Sequence, residues 1–558
     1  MVSLKHKIIK VKAEKIVFPG NVLCRCEDGI ALFTEGLLPG EEAEVFVTRD
    51  KKSYREAKLE TILTPSPLRI EPKCPSFGKC GGCSFEHTEY KNQIKFKTDC
   101  VKELLNFIDM EIPQAKQSPV QWNYRNKMEF SFYNKKIGGL EDWKIGSKEE
   151  ALSLGLHCKG SFYKYSEVPP CYISHEDIIK ACEIVKEFAI NTSLKAYNNK
   201  SHEGFFRHLV LRKGINTGDL LVNIVTNRQE DINKNFFGTV VKQLSSFCSS
   251  IYWTQNSKFS DAVNAESITL LYGNENITET LTVAEQKFNF SVAPFSFFQT
   301  NTKATEVLYN TVIELLQPDK QDTLLDMYCG TGAIGICLSP HVKSVVGVEQ
   351  VEESIESAKH NAQINNINNI EFFAQPAQDW VKQNDKKFDC VIIDPPRAGL
   401  FENVIEHLLF LNPKKIVYVS CNPSTLARDL KLITKDEKYK VIKVCPVDMF
   451  PQTYHIETVV LLSKGEVDSK KIRVEFSLED MDMSEFQDGA TYTQIKDYVL
   501  EHSGLKVSNL YISQIKRKCG IEVGKNYNLP KSEDSRQPLC PPEKEKAIRE
   551  AFKYFGII

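Results

Sequence analysis

Residues 324–335 read LLDMYCGTGAIG, and this stretch decides the fold. An apolar run leads into a glycine-rich turn, which is the pattern of a β-strand followed by a tight loop and the start of a helix. Gly330, Gly332 and Gly335 satisfy the G-x-G-x-x-G spacing of nucleotide-binding α/β domains, where glycine lets the backbone approach a ligand closely. The spacing predicts a nucleotide site without identifying the nucleotide.

Three carboxylates indicate which nucleotide binds. Asp326 lies immediately before the loop, where a negative charge is unfavourable beside a pyrophosphate but suits the cationic methionine end of S-adenosylmethionine. Glu349 ends the next apolar run, where it can accept hydrogen bonds from both ribose hydroxyls. Asp394 ends a further run and is followed by Pro395-Pro396-Arg397. Because ligands bind beyond the carboxyl ends of strands in open α/β sheets, we expect the three carboxylates to converge.

Apolar runs alternate with helical segments from residue 291 to residue 465, which predicts a parallel, doubly wound sheet of the Rossmann-like class I methyltransferase type. The strand candidates are Thr323–Met327, Ser344–Glu349, Ile370–Phe373, Asp389–Asp394, Ile416–Ser420 and Thr458–Leu462.

Three other domains are predicted around this one. Residues 1–66 contain short alternating runs broken by Pro-Gly and Asp-Gly turns, which indicates an OB-like β-barrel. Residues 67–290 read as a mixed α/β central domain, whose helix at about 91–107 we expect to pack on the catalytic domain. Residues 466–558 read as a helical extension with helices at Tyr492–Glu501 and Ser508–Lys518.

The composition is that of a folded protein without a membrane segment. The 558 residues include 71 Lys+Arg against 73 Asp+Glu, and 42% are hydrophobic, which excludes wholesale disorder. No stretch approaches the roughly 20 apolar residues of a membrane helix, and the basic amino terminus lacks the apolar core of a signal peptide. We therefore expect a cytoplasmic protein, whose 17 cysteines are mostly free thiols.

Residues 74–83 contain three cysteines, Cys74, Cys80 and Cys83, in the spacing C-x5-C-x2-C. Three thiols this close, with glycines between them, indicate a metal or cluster site. Zinc modules more often pair two C-x2-C units, whereas three neighbouring cysteines with a distant fourth suit a [4Fe–4S] cluster.

Two further residues are candidates for catalysis. Cys421 follows the strand candidate Ile416–Ser420, so it is expected at the edge of the sheet where the cofactor binds. A free thiol is only a few per cent ionised at pH 7, so a nucleophilic Cys421 requires a stabilising neighbour, which the sequence does not identify. Glu457 precedes the last strand candidate and is the candidate general base, with His455 as the alternative.

The segments that carry this chemistry resemble those of RNA uracil-5-methyltransferases, in particular the RumA-type 23S rRNA (uracil-5-)-methyltransferases. The matching segments are residues 297–301 (FFQTN), 326–332, 394–399 (DPPRAG), 420–429 (SCNPSTLARD) and 450–457 (FPQTYHIE). With the cysteine segment and the amino-terminal barrel, which resembles the RNA-binding TRAM domain, the resemblance covers about residues 1–465.

The resemblance implies a role for each matching residue. Cys421 is expected to add to carbon 6 of uracil, and Glu457 to remove the carbon-5 proton after methyl transfer. The implied cofactor-binding residues are Gln299, Tyr328, Glu349 and Asp394, to which the loop adds Asp326 and Gly330. The implied ligands of a [4Fe–4S] cluster are Cys74, Cys80, Cys83 and Cys171, with Cys158 as the alternative fourth ligand.

The expected partner is RNA, most of all 23S rRNA, bound by a monomer. The alternatives are a tRNA uracil-5-methyltransferase, an RNA cytosine-5-methyltransferase and a non-catalytic RNA-binding protein or chaperone. Cytosine-5 enzymes tend to carry a second cysteine after the prolines of the D-P-P-like segment, where this chain has Arg397. The joint presence of Cys421, Glu457, Asp394 and Gln299 disfavours a non-catalytic role.

Overall fold

The computed structural model describes residues 3–136, 150–161, 163–167, 170–259, 265–383, 386–464, 492–503, 505, 507–519 and 540–554. The chain divides into two compact units, Met1–Glu466 and Val467–Ile558. Among the described residues, no helix combines the length and the apolar character that crossing a membrane requires.

The strands are β1 Ile8–Val17, β2 Asn21–Arg25, β3 Ala31–Thr34, β4 Glu42–Asp50, β5 Tyr54–Thr64, β6 Lys127–Lys136, β7 Glu150–His157, β8 Tyr165–Glu167, β9 Phe206–Lys213, β10 Leu220–Thr226, β11 Ser250–Gln255, β12 Ser267–Gly273, β13 Ile277–Val283, β14 Gln286–Val292, β15 Thr323–Met327, β16 Ser344–Glu349, β17 Ile370–Ala374, β18 Cys390–Ile393, β19 Lys415–Ser420, β20 Tyr439–Val447 and β21 Glu457–Lys464. The helices are α1 Tyr90–Leu104, α2 Glu176–Asn191, α3 Gly238–Leu244, α4 Thr302–Leu316, α5 Ala333–Leu338, α6 Glu352–Ile364, α7 Ala377–Gln383, α8 Glu402–Leu411, α9 Pro423–Ile433, α10 Tyr492–Ser503, α11 Asn509–Lys518 and α12 Pro542–Tyr554, with 3-10 turns at Lys234–Phe237 and Ser339–His341.

The first five strands close into a barrel in the order β1-β2-β3-β5-β4, which confirms the barrel predicted from the turn signals. Along β4, Ala43, Val45 and Val47 are fully buried and alternate with partly exposed residues, because successive side chains of a strand point to opposite faces. The basic residues at the amino terminus are partly neutralised, since Lys15 forms an ion pair with Glu103.

The central region is a seven-stranded sheet in the order β12-β11-β10-β9-β6-β7-β8. Every residue of β9 and β10 is buried, and α2 and α3 contribute their apolar residues to the same core. The hairpin β13–β14, which the sequence grouped with this region, buries Leu281 and Phe290 in the core of the catalytic sheet instead.

The catalytic sheet has the strand order β17-β16-β15-β18-β19-β21-β20. Five of its strands are parallel, as expected, but β21 is antiparallel to both β19 and β20. Residues 448–456 join β20 to β21 without a helix. Because parallel neighbours need a long crossover that usually contains a helix, this short connection favours an antiparallel pair. The sequence prediction missed β20, which has two exposed lysines, Lys440 and Lys443, among its first five residues.

Helix α1 lies between the barrel and the catalytic sheet. Ile94, Val101 and Leu105 pack into the catalytic core, whereas Phe96 and Cys100 pack against the barrel. One amphipathic helix therefore contributes to two hydrophobic cores and holds the barrel next to the catalytic sheet.

The second unit contains α10, α11 and α12. Its described core consists mainly of aliphatic residues, among them Ile495, Ile512 and Ile548, together with Phe552. Lys518 in the basic end of α11 forms an ion pair with Glu545 of α12.

Candidate active site

The glycine-rich loop after β15 has the backbone that its sequence requires. Tyr328, Gly330 and Gly332 all have positive φ angles, and Gly332 is the N-cap residue of α5. A Cβ atom on Gly332 would lie 2.9 Å from the ring of Phe372, whereas a Cβ on Gly330 would meet no atom within 4 Å. Gly332 is thus required by packing, and Gly330 faces open space into which a ligand can fit.

The three carboxylates predicted to converge lie close together at the carboxyl edge of the sheet. The pKa of Asp326 is raised to about 8, mainly by burial; the hydrogen bond from the Gly335 N–H opposes this rise, and the charges of Asp394 and Glu349 add to it. Burial also raises the pKa of Asp394 to about 7. Glu349 accepts hydrogen bonds from the backbone N–H groups of Gln350 and Val351, at 2.9 and 3.1 Å.

This edge fits a cationic nucleoside. The Oδ2 atom of Asp326 accepts a hydrogen bond from the Gly335 N–H at 2.9 Å, but its buried Oδ1 atom has no hydrogen-bond partner. A buried carboxylate with a missing partner is strongly disfavoured unless a positive charge lies nearby. The residues present therefore suit the sulfonium and ribose of S-adenosylmethionine.

Cys421 is the first residue after β19 and is half-buried. The next residue, Asn422, caps α9 by accepting a hydrogen bond from the Ser424 N–H. In the ladder between β19 and β21, Ser420 pairs with Thr458. The register brings Cys421 and Glu457, one step beyond this pair, to the same end of the two strands.

Charge and burial act strongly on both groups. Burial, followed by the charges of Glu457 and Asp394, raises the pKa of Cys421 to about 11. Burial and Asp394 also raise the pKa of Glu457 well above its usual value. The three acidic groups of this buried cluster, Cys421, Glu457 and Asp394, cannot all be ionised at neutral pH without a compensating positive charge.

Arg397 supplies such a charge, and the sequence reasoning missed this. Its guanidinium acts on Cys421 through its charge and a hydrogen bond, both of which lower the thiol pKa. The same guanidinium lies 3.3 Å from Nδ1 of His455. The backbone carbonyl of Arg397 accepts a hydrogen bond from the side-chain amide of Asn422 at 3.1 Å. The sequence did contain a signal for this role, because Arg397 is three residues after Asp394 and so belongs to the same edge of the sheet where Cys421 was expected.

His455, the alternative base, lies at the same site but is poorly suited to take a proton. Burial and the positive charge of Arg397 lower its pKa to about 3. It is therefore neutral at pH 7 and a much weaker base than a histidine in water.

The loop that contains Gln299 is held by the central region. The side-chain amide of Asn126 donates to the Gln299 carbonyl at 3.0 Å and to Thr302 Oγ1 at 3.0 Å. The buried guanidinium of Arg212 donates to the carbonyls of Pro294 and Ser296. Hydrogen bonds thus fix the backbone at Gln299 and just before it, and the Gln299 side chain is half-buried.

The side chain of Tyr328 is also half-buried and packs against the catalytic core. Burial raises the pKa of Tyr328 to about 12.

The segment that precedes Glu457 is held just as firmly. Lys97 of α1 forms a 2.6 Å ion pair with Asp448, and neither side chain is exposed. Gln93 exchanges hydrogen bonds with Gln452, both 2.9 Å long. The N–H groups of Ser84 and Phe85 also donate to the Gln452 carbonyl, at 2.9 Å each. The segment immediately after Cys83 is therefore bonded directly to the segment before Glu457.

The cysteines predicted as cluster ligands line one cavity of about 770 Å³. Its walls include Cys74, Cys80, Cys83, Cys158 and Cys171, and they also include basic and aromatic residues, namely Arg125, Lys127, Lys159, Tyr172, Arg397, Tyr454 and His455. Burial raises the pKa of Cys80 to about 11, and the other thiols act on it through their charges. Within the described ranges, however, no group of three His, Cys, Asp or Glu side chains is arranged to hold a metal ion.

Comparisons with known proteins point to one family. The family model described as tRNA (Uracil-5-)-methyltransferase matches residues 254–465. An uncharacterized RNA methyltransferase of Caldanaerobacter subterraneus is 39% identical over 469 residues, which cover 83% of this chain and 100% of that protein. Another, from Clostridium tetani, is 36% identical over 471 residues, which cover 84% of this chain and 100% of that protein.

A solved structure agrees with these relatives. It is the crystal structure of the Pyrococcus abyssi tRNA (uracil-54, C5)-methyltransferase in complex with S-adenosyl-L-homocysteine. It is similar to this chain with a TM-score of 0.62 and 29% sequence identity, covering 81% of this chain and 100% of that one.

Proposed function

The chain belongs to the family of S-adenosylmethionine-dependent RNA (uracil-5-)-methyltransferases, and from this we propose that it methylates carbon 5 of uridine through a covalent bond between Cys421 and the base. The observation that carries the proposal is the register of β19 and β21, in which Ser420 pairs with Thr458. A thiol and a carboxylate at one sheet edge, beside the cofactor carboxylates, are the two groups this chemistry needs.

In the proposed reaction Cys421 is the nucleophile and later the leaving group, and Glu457 is the base. The Cys421 thiolate adds to carbon 6 of the uracil, and the electron pair of the 5,6 double bond makes carbon 5 nucleophilic. S-adenosylmethionine, when bound, would supply the electrophilic methyl group that carbon 5 takes up, with S-adenosylhomocysteine as the leaving group. Glu457 then accepts the carbon-5 proton, the double bond re-forms, and Cys421 leaves as the thiolate.

Arg397 is the residue we propose to stabilise the thiolate. It offsets burial and the charges of Glu457 and Asp394 only in part, because the pKa of Cys421 is still about 11 with the guanidinium in place. A hydrogen bond from a charged donor contributes about 1.5–3 kcal/mol, which corresponds to roughly one to two pKa units. The role of Glu457 as base in turn requires that it be ionised, which the same guanidinium favours.

The other assigned residues keep their proposed roles. Gln299, Tyr328, Glu349 and Asp394 are the proposed cofactor residues, with Asp326 and Gly330 of the loop; Gln299 and Asp394 also lie near the proposed position of the base.

We also propose that Cys74, Cys80, Cys83 and Cys171 hold a [4Fe–4S] cluster. Their shared cavity and their mutual charge effects support this proposal, since four thiolates are the ligand set of such a cluster. Methyl transfer to carbon 5 needs no electron, so the cluster is proposed to hold the cavity wall, including the backbone that binds Gln452.

RNA is proposed to lie along this cavity, whose wall offers cations for phosphates and rings for stacking. Because carbons 5 and 6 of a stacked base are inaccessible, the target uridine must be in a loop or flipped out, at a cost of a few kcal/mol. We propose 23S rRNA as the substrate of a cytoplasmic monomer. tRNA is the second candidate, which the similarity to the tRNA (uracil-54, C5)-methyltransferase favours.

Two experiments test the function. Mapping of 5-methyluridine in rRNA and tRNA from cells that lack the protein identifies the substrate, and unchanged levels in both would contradict the proposal. In the purified protein, Cys421→Ala is expected to abolish methylation, whereas Glu457→Gln retains addition and accumulates a protein–RNA adduct that survives denaturing electrophoresis. Cys540→Ala, a cysteine of the second unit, is the control and should retain activity.

A further inference from the structure

Cys80 and Cys158 lie directly opposite each other in a short antiparallel pairing outside the named strands. The Gly81 N–H donates to the His157 carbonyl at 3.0 Å, and the Lys159 N–H donates to the Lys79 carbonyl at 3.0 Å. These hydrogen bonds flank the cysteine pair and none joins the two cysteines. Cys80 and Cys158 are therefore a non-hydrogen-bonded pair, the closer of the two kinds in an antiparallel ladder, with Cα atoms typically about 4.5 Å apart.

This pairing is compatible with the geometry of a disulfide. Opposite residues of an antiparallel pair project their side chains to the same face, and both cysteines line the same cavity. The Cα separation typical of such a pair lies within the range of about 4.4–6.8 Å that disulfides span. Gly81 permits the approach, because a Cβ on it would lie 3.3 Å from the His157 carbonyl oxygen.

The cavity also contains one thiol more than a [4Fe–4S] cluster requires. Cys74, Cys80, Cys83 and Cys171 account for the four proposed ligands, and Cys158 is the fifth cysteine in the wall. Cys158 is half-buried, whereas Cys80 is 9% exposed, so a reagent in solvent reaches Cys158 more easily. All 17 cysteines are free thiols in the structure.

We propose that Cys80 and Cys158 form a reversible disulfide when Cys80 holds no iron. The oxidant is a low-molecular-weight disulfide. The Cys158 thiolate attacks one of its sulfur atoms and releases one small thiol; the Cys80 thiolate then attacks the mixed disulfide at the Cys158 sulfur and releases the second. Two protein thiols are oxidised to one disulfide, and the small disulfide is reduced to two thiols.

The disulfide and the cluster compete for Cys80. This competition rests on the cluster proposed above, whereas the pairing of the two cysteines does not. Oxidation of the iron-free chain would block reassembly of the cluster until a thiol reductant opens the bond. Cys80 and Cys158 thus make cluster assembly in this protein dependent on the thiol–disulfide balance.

Peptide mapping of the full-length protein tests the pairing. The protein is purified anaerobically, stripped of iron with a chelator, treated with oxidised glutathione, alkylated and digested with trypsin. We expect the peptide 80–91 to be linked to the peptide 149–159 in wild type and in Cys83→Ser, and the link to be lost in Cys80→Ser and Cys158→Ser. The Cys83→Ser variant is needed because peptide 80–91 also contains Cys83.

Iron content separates this proposal from the cluster proposal. Cys158→Ser is expected to bind as much iron as wild type, and oxidised wild type to take up none until it is reduced. Full alkylation of Cys158 after oxidation, or a link from Cys80 to Cys74 or Cys83 in its place, would overturn the pairing. Loss of iron from Cys158→Ser would make Cys158 a ligand and overturn its assignment as the thiol that the cluster does not use. A wild type that never binds iron would overturn the cluster and the competition, while the mapping still decides the pairing.

Discussion

The ammonium of Lys97 lies 2.6 Å from Oδ1 of Asp448, and neither side chain is exposed to solvent. The two residues are 351 positions apart in the chain. Lys97 also donates to the Phe450 carbonyl at 3.0 Å, and the hydroxyl of Tyr90 donates to the other carboxylate oxygen of Asp448 at 2.9 Å. A fully bonded, buried ion pair thus fixes the segment that leads into Glu457 against helix α1.

Removing one partner of this pair should destabilise the first unit strongly. Lys97→Met leaves the Asp448 carboxylate buried without its cation, which typically costs about 3–5 kcal/mol. Denaturant unfolding measures the change. Lys95→Met, an exposed lysine of the same helix, is the matched control and should change stability by less than about 0.5 kcal/mol. Equal effects of the two substitutions would show that the pair is not structurally important.

Replacing Arg397 should move the pH dependence of covalent addition. The guanidinium lowers the pKa of Cys421 against burial and two carboxylates. Its loss in Arg397→Met should shift the pH midpoint of adduct formation upward by about one to two units and slow it roughly tenfold to a hundredfold at pH 7. Adduct formation by the Glu457→Gln background, measured over a pH series, provides the readout.

Arg397→Lys separates charge from shape in the same assay. It retains the positive charge but not the planar donor arrangement of a guanidinium, so we expect a partial recovery of the lower midpoint. An unchanged midpoint in Arg397→Met would show that another group ionises Cys421.

The two loop glycines should differ in their effect on folding. Gly332→Ala places a methyl group 2.9 Å from the Phe372 ring at a φ of +79°, so both packing and backbone are strained. Gly330→Ala meets no neighbour, and only its backbone is strained. We expect Gly332→Ala to lower the Tm clearly more than Gly330→Ala, by thermal unfolding without cofactor.

Gly330→Ala should instead weaken ligand binding. A Cβ at this position would enter the open space that we assign to the cofactor, so S-adenosylhomocysteine binding by calorimetry should fall while the Tm changes little. A ligand affinity equal to that of wild type would place the cofactor elsewhere.

Asp326 should make the stability of the catalytic sheet depend on pH. Its pKa is about 8 in the folded chain against a usual value of 3.8, so the folded state holds the proton more tightly than the unfolded state. The stabilisation that comes from this tighter proton binding is therefore fully present below about pH 4 and is lost as the pH rises towards 8. The Tm of wild type should therefore fall relative to Asp326→Asn between pH 5 and pH 8, by at least about 2 °C.

Asn is the appropriate replacement because its oxygen can still accept the Gly335 N–H, while it carries no charge at any pH. A Tm difference that stays constant between pH 5 and pH 8 would mean that Asp326 titrates normally.

The sequence predicted well the features that depend on residues close together in the chain. The strand before the loop and the turn glycines follow from neighbouring residues, and the bounds Thr323–Met327 and Ser344–Glu349 match the structure. Asp326, Glu349 and Asp394 were expected together because each ends a strand of one sheet, and their mutual effects on pKa agree with this.

What the sequence missed depends on contacts between distant segments. The ion pair of Lys97 and Asp448 has no local pattern, since a lysine on a helix is normally exposed. The direction of β21 depends on its pairing with β20, whose lysines concealed it as a strand. Arg397 could be located at the site, but only its contact with Cys421 indicates what it does there.

The opposed direction of β19 and β21 has a mechanical consequence. Cys421 directly follows the Ser420–Thr458 pair and Glu457 directly precedes it, so the paired strands hold both residues at one end of the same ladder. Sliding β21 by one position along β19 would rotate the carboxylate to the opposite side of the sheet. The spacing of the two proposed reacting groups is therefore set mainly by the sheet, and we expect adaptation to different RNAs to come from the surrounding loops and the barrel.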